Sequence, residues 1–84
     1  MINSPAAGAG AADIEIAARI SNALIVKNIN VRALSDETGM AYPTLRRSLS
    51  GGRSLTILEI GKIAGAIDVH PSILLPTSFT QDAA

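Results

Sequence analysis

The sequence predicts an all-α domain of five short helices. Apolar residues recur at intervals of three and four positions through most of the chain, which is the period of one helix face. Polar caps, glycines and prolines separate these segments at the places where helices would begin and end. No alternating apolar and polar pattern extends beyond a few residues, so the sequence predicts no β-strand.

The composition limits the chain to one small domain. Its 84 residues can bury a single core, and the absence of cysteine excludes disulfides and thiolate metal sites as sources of stability. The chain lacks a signal-peptide pattern, and its longest aliphatic run is far too short to span a bilayer. We therefore expect a cytoplasmic protein that has no membrane partner.

The two ends of the chain differ from the middle. Residues 1–11 are rich in Ala and Gly and show no apolar period, and residues 77–84 have no helical pattern either. Segments of this kind do not bury enough apolar surface to become ordered. We predict a flexible arm at 1–11, a folded domain at 12–76 and a flexible tail at 77–84.

The first two helices are predicted from their apolar faces and their caps. Asp13 is the candidate N-cap of a first helix that runs to about Lys27, after which Asn28 can adopt a left-handed conformation. Asn30 can cap a second helix, which Gly39 ends. The predicted buried residues are Ile16, Ile20, Ala23 and Leu24 in the first helix and Val31, Leu34, Ser35 and Thr38 in the second.

The segment from Gly39 to Thr44 joins the second helix to a third. Gly39 can adopt a positive φ at the end of one helix, and Pro43 suits the first turn of the next because its missing N–H would have no helical partner there. A sharp turn between two helices is the centre of a helix-turn-helix. Leu45 and Leu49 mark the buried side of the third helix. Its outer side carries Pro43, Arg46, Arg47 and Ser50.

A capping box marks the start of the fourth helix. Thr56 and Glu59 have the required spacing, and the helix is predicted to end near Asp68. A short fifth helix is expected to begin at Pro71 and to stop before Pro76. The predicted apolar stripe of the fourth helix is Ile57, Ile60, Ile63, Ala64 and Ile67, and the fifth helix is predicted to place Ile73, Leu74 and Leu75 against the core.

Charge is unevenly distributed along the chain. The formal net charge is zero, but the stretch from Lys27 to Arg53 contains five basic and two acidic residues. A local cationic region matters more for binding an anionic partner than the sum over the chain does. The basic residues therefore concentrate around the predicted helix-turn-helix.

With these features, the sequence resembles the lambda-repressor-like, Cro-type helix-turn-helix family, from about Ala18 to Pro76. The resemblance implies a compact five-helix domain in which Ser35 must be small because the second and third helices cross closely there. The residues that carry the resemblance are Leu34, Ser35, Gly39, Met40, Thr44, Leu45, Leu49, Gly51, Ile63, Ala64, Val69, Leu74 and Leu75.

The resemblance also implies a function. In this family the third helix lies in the major groove, and the start of the second helix touches phosphate. The implied protein is a sequence-specific regulator of transcription that binds double-stranded operator DNA in a bacterial cell, resembling phage repressors and Cro proteins. Binding to a palindromic operator would require a homodimer. The implied DNA-binding residues are Arg32, Tyr42, Pro43, Thr44, Arg46, Arg47, Ser50 and Arg53.

Other interpretations remain open at this stage. Arg46 and Arg47 could simply be solvated, Tyr42 could fold over the turn as a partly buried residue, and Arg53 could only make its loop soluble. Zero net charge and Pro43 favour a helix-turn-helix module that binds another protein, such as an antitoxin-like or immunity factor. The apolar residues near the C-terminus could close the core or form a dimer surface: Val69, Ile73, Leu74, Leu75 and Phe79.

Enzymatic chemistry has no support in the sequence. His70 is the single histidine, and no second ligand or nucleophile stands at a suitable spacing from it. We therefore predict no enzymatic activity, no metal, no cofactor and no small-molecule effector.

Overall fold

The structure, a computed structural model, describes residues 10–76. Four α-helices and one turn of 3₁₀ helix make up this region, and it contains no strand. The all-α class is confirmed, but the predicted fifth α-helix is a 3₁₀ helix, because four residues between two prolines leave no room for α-helical hydrogen bonds. The elements are α1 (Ala11–Lys27), α2 (Val31–Thr38), α3 (Tyr42–Leu49), α4 (Ile57–Ile67) and the 3₁₀ helix (Pro71–Leu74).

The start of α1 corrects one prediction. Gly10 is the N-cap, and Asp13 is the third residue of the helix rather than its cap. The Asp13 carboxylate accepts a hydrogen bond from the Gly10 N–H at 3.2 Å, which is the reciprocal half of a capping box. Ala11, assigned to the arm from the sequence, is therefore the first residue of α1. Residues 1–9 of the predicted arm and the whole predicted tail lie outside the described residues.

The other predicted helix ends are confirmed. Asn28 ends α1 with a φ of 58°, and the Asn30 side chain caps α2 by accepting from the Ala33 N–H at 2.8 Å. At α4, the Thr56 N–H donates to Glu59 at 2.9 Å, and the Glu59 N–H donates to the Thr56 hydroxyl at 3.1 Å. These caps satisfy backbone groups that the helices leave without partners.

Every helix contributes to one core. The third helix packs mainly against α1 and α2, while α2 also packs against α4, and the 3₁₀ helix closes the core between α1 and α4. Leu74 is fully buried, whereas its neighbour Ile73 is 49% exposed, so the C-terminal apolar segment closes the core and also leaves an aliphatic side chain at the surface. Phe79 lies outside the described residues. The largest fully buried apolar side chains are Ile20, Leu34, Leu45, Ile63, Ile67 and Leu74.

The buried side of α3 differs in one residue from the prediction. Leu45 is fully buried as expected, but the second buried residue is Ser48, and Leu49 is only half-buried at the edge of the core. A serine can occupy this site because its hydroxyl has partners there, which are described below.

Among residues 10–76, no helix is long and apolar enough to cross a membrane. Within the same range, no three His, Asp or Glu side chains lie close enough together to hold a metal ion.

Candidate nucleic-acid interface

The turn between α2 and α3 is held by side chains of α2. Gly39 has a φ of 75° and donates its N–H to the Ser35 carbonyl at 2.9 Å. The Ser35 hydroxyl donates to the Met40 carbonyl at 2.7 Å, and the Met40 N–H donates to the Thr38 hydroxyl at 3.2 Å. Ser35 is therefore needed for its hydroxyl as well as its small size, and the start of α3 has a fixed position relative to α2.

The outer face of α3 carries the predicted basic pair. Arg46 and Arg47 are both exposed, as is Pro43 in the first turn, while Thr44 is half-buried. On the opposite side of the helix, Leu45 lies in the core. The two arginines thus project from a helix whose other side is fixed by packing.

Tyr42 connects the start of α2 to the outer face of α3. The Arg32 guanidinium lies over the Tyr42 ring at 4.2 Å from the centroid, within the range of a cation–π contact, and that of Arg46 lies at 5.9 Å. Arg46 also donates to the Tyr42 hydroxyl at 3.5 Å. Tyr42 is half-buried rather than part of the core, so the structure brings three of the predicted site residues into one cluster on two helices.

An open groove adjoins this cluster. It is bounded by the last turns of α1, by the first turn of α2 and by the side of α3 that carries Arg46. Asn28 and Asn30 contribute polar groups to its lining, and Leu49 contributes apolar surface. The surface around the arginines is therefore concave on one side.

Arg53 is held within the chain. Its guanidinium donates to the Ser48 hydroxyl at 2.8 Å and makes two hydrogen bonds to the Glu59 carboxylate, at 3.3 and 3.2 Å. The Ser48 hydroxyl in turn donates to the Thr44 carbonyl at 3.0 Å. No sequence pattern predicts this pairing.

The environment of Glu59 favours its charged form. Burial raises the pKa of this carboxyl, but hydrogen bonds from the Thr56 N–H and from Arg53 outweigh burial, and the net pKa lies below its ordinary value. The carboxylate therefore stays ionised at neutral pH and can hold Arg53 and the cap of α4 at the same time.

The end of α3 is closed by two glycines and a serine. Gly51 has a φ of 84°, and the Gly52 N–H donates to the Arg47 carbonyl at 3.0 Å. A side chain on Gly51 would come within 3.3 Å of Ile14 in α1, so the loop passes close to the first helix. Ser50 is exposed, and its hydroxyl donates to the Arg47 carbonyl at 2.8 Å. The predicted site residue Ser50 therefore acts in the structure as part of the end of α3.

The fixed turn between α2 and α3 and the exposed basic face of α3 give the molecule a helix-turn-helix fold, as the sequence predicts. The chain is similar to the crystal structure of the restriction-modification controller protein C.AhdI from Aeromonas hydrophila. The TM-score is 0.71, the match covers 75% of this chain and 96% of the controller protein, and 21% of residues are identical. At that identity the similarity establishes the fold. No protein-family model and no curated protein sequence matches the chain.

Proposed function

We propose that this protein is a sequence-specific regulator of transcription that binds double-stranded DNA by placing α3 in the major groove. The observation that carries the proposal is the exposed pair Arg46 and Arg47, on the outer side of a helix that Leu45 fixes to the core directly after the helix-turn-helix turn. Arginine is the side chain most often found on guanine O6 and N7, and a good pair of such bonds discriminates against a wrong base by about 1–3 kcal/mol. The fold similarity to a controller protein supports the regulator class.

The remaining residues divide between base and backbone contacts. Arg32 and the backbone amides that follow Asn30 stand at the start of α2, where they would hold a phosphate. Pro43 and Thr44 in the first turn of α3, with Tyr42, would approach the bases and sugars. Arg53 already has acceptors within the chain, so we assign the direct contacts to the other residues first.

We also propose that the protein binds an inverted repeat as a homodimer. Val26 in α1 is 82% exposed and Ile73 in the 3₁₀ helix is 49% exposed. Both border one shallow groove with Ala23 and Val69, so two neighbouring elements present aliphatic surface at the same place. A second copy is the occupant we favour, since a two-fold dimer would set two α3 helices one turn of DNA apart.

Within this class we propose a phage-type repressor that acts in the bacterial cytoplasm, which is the regulator that the sequence resemblance implies. The rival class is a helix-turn-helix module that binds another protein, which the zero net charge favours. Salt distinguishes the DNA-binding regulator from the protein-binding module. Contacts to phosphate release counterions, so the affinity for DNA falls steeply with salt, whereas the affinity for another protein depends on salt much less.

The test is a fluorescence anisotropy titration against duplex fragments from the region upstream of the protein's own gene. We expect one fragment to bind with a submicromolar dissociation constant that rises steeply between about 50 and 200 mM salt. Arg47→Ala should weaken binding to that fragment by about tenfold or more. Lys62→Ala removes one positive charge from an exposed position on α4 and is the matched control, with an expected effect of less than about twofold.

Two results would contradict the proposal. One is the absence of salt-dependent binding to every fragment, which would favour the protein-binding module. The other is an equal loss of affinity in the Arg47 and Lys62 variants, which would mean that binding depends on overall charge and not on the outer face of α3.

A further inference from the structure

We infer that Arg53 and Glu59 are positioning residues that set the orientation of α3 on the DNA, and that Arg53 acts through Ser48 rather than through a phosphate. This role rests on the proposed function, in which α3 lies in the major groove, and it explains how α3 is held in place there. Arg53 thereby has a different role from the direct DNA contact predicted from the sequence.

This contact joins α3 to α4, an element with which α3 otherwise has few contacts. The helix packs mainly against α1 and α2, so the Arg53 side chain provides a connection between α3 and the start of α4. Arg53 reaches Ser48, which is 1% exposed on the inner side of α3, and both carboxylate oxygens of Glu59. One guanidinium thus joins the last turn of α3 to the first turn of α4.

The three groups hold one another in a single arrangement. The Ser48 hydroxyl uses its proton on the Thr44 carbonyl and its lone pair on Arg53, so its orientation is fixed. Glu59 is held at a second point by the Thr56 N–H at 2.9 Å. Two bonds from a planar guanidinium to one carboxylate define an angle as well as a distance. The exposed fractions of 29% for Arg53 and 21% for Glu59 limit the competition from water.

For Glu59→Gln, the expected change in DNA affinity is opposite to the change that its altered charge alone would cause. Glu59→Gln raises the net charge of the protein by one, and a Gln side chain can still accept from the Thr56 N–H and keep the cap. If only charge mattered, the variant would bind DNA more tightly. If Glu59 positions α3 through Arg53, the variant should bind its specific fragment about tenfold more weakly, while its affinity for an unrelated duplex stays equal or rises.

Three further variants separate the possible roles. Ser48→Ala keeps the ion pair but removes its link to α3, and we expect the same loss of specific binding. Arg53→Met should also lose specific affinity, with no change in the slope of log affinity against log salt, because no phosphate contact is removed. Glu37→Gln removes an acidic charge from an exposed position on α2 and is the matched control, expected to bind the specific fragment at least as tightly as the wild type. All variants are compared at a temperature where circular dichroism shows them folded.

A measurement without DNA distinguishes failure of this inference from failure of the proposed function. The N–H groups of Ser50 and Gly52 donate to the carbonyl oxygens of Arg46 and Arg47 at the end of α3. If Glu59 holds this end of α3 through Arg53, amide hydrogen exchange at Ser50 and Gly52 should become faster in Glu59→Gln. The Ile29 amide, bonded to Leu24 at the end of α1, is the internal control and should not change.

The inference is overturned if Glu59→Gln binds its fragment as tightly as wild type or more tightly, or if Arg53→Met lowers the salt slope by about one phosphate contact. Unchanged exchange at Ser50 and Gly52 would also overturn it, even in a protein that binds no DNA. Faster exchange in such a protein would support the link between α3 and α4 and would reject only the DNA-binding proposal.

Discussion

Gly39 and Gly61 show how one residue type serves different needs in neighbouring helices. A β-carbon at either position would meet no atom within 4 Å, so sterics with the surroundings do not distinguish them. Gly39 has a φ of 75° and makes the turn before α3, whereas Gly61 is an exposed residue inside α4. Backbone conformation alone therefore decides what a substitution does at each position.

We predict opposite effects for the same substitution at these two positions. Gly39→Ala should lower the free energy of unfolding by about 1 kcal/mol, because alanine is strained in the left-handed region. Gly61→Ala should raise it by about 0.5–1 kcal/mol, because alanine loses less conformational entropy in a helix. Urea denaturation followed by circular dichroism measures both. A stabilised Gly39→Ala variant would show that the turn does not need its positive φ.

The sequence predicts the turn between α2 and α3, but it does not predict the hydrogen bond between Arg53 and Ser48. Gly39 and Pro43 are predictable because each has a backbone property that few residues share. Ser48 and Arg53 are not, because serine and arginine are usually exposed and only the packed helices bring their side chains together. Leu49 is predicted in the core because it follows Leu45 by one helical turn. Ser48 is buried instead, because its hydroxyl has hydrogen-bond partners that only the folded chain brings near.

Among the elements, α4 has the start that the sequence marks most clearly. Its capping box involves only residues four or fewer positions apart, so the local pattern is sufficient to predict it. The start of α1 was placed incorrectly because Gly10 caps without a side chain and Asp13 supplies the bond from inside the helix. Cap position is thus predictable where the capping side chain belongs to the cap residue itself.

The acid stability of α4 should depend on Glu59. The pKa of this carboxyl is lower in the folded protein than its ordinary value of 4.5, so its ionised form stabilises the fold above that pH. As the pH falls below about 4.5 and through the lower pKa of the folded state, this contribution is lost. Wild type should therefore exceed Glu59→Gln in unfolding free energy by about 1 kcal/mol at neutral pH, and by progressively less toward pH 3. Urea denaturation across this range measures the difference, and a gap independent of pH would contradict the prediction.

For the whole molecule, the order and approximate lengths of the helices were predictable, but their surfaces were not. Periodicity marks most of the buried residues of a helix, and Ile20, Leu34 and Ile63 are confirmed in the core. Ile57, predicted on the apolar stripe of α4, is 70% exposed because it stands at the first position of the helix, away from the core. Periodicity does not show which apolar residues remain outside, and Val26 and Leu58 are 82% and 79% exposed. Whether such residues meet a partner depends on how separate helices are arranged, which only the assembled fold defines.

The proposed dimer should be detectable in solution, and substitutions in its aliphatic surface should weaken it. Sedimentation velocity at micromolar concentration should show a dimer, and Val26→Asp or Ile73→Asp should raise its dissociation constant by about tenfold or more, because each buries a charge in an apolar contact. Leu58→Asp is the matched control, since Leu58 is about as exposed as Val26. Leu58 lies near the start of α4, about 14 Å from the end of that helix, which Val69 follows. We expect this variant to remain dimeric. A wild-type protein that is monomeric both free and on its DNA fragment would contradict the two-fold arrangement, and dissociation by Leu58→Asp alone would move the interface to the opposite end of α4.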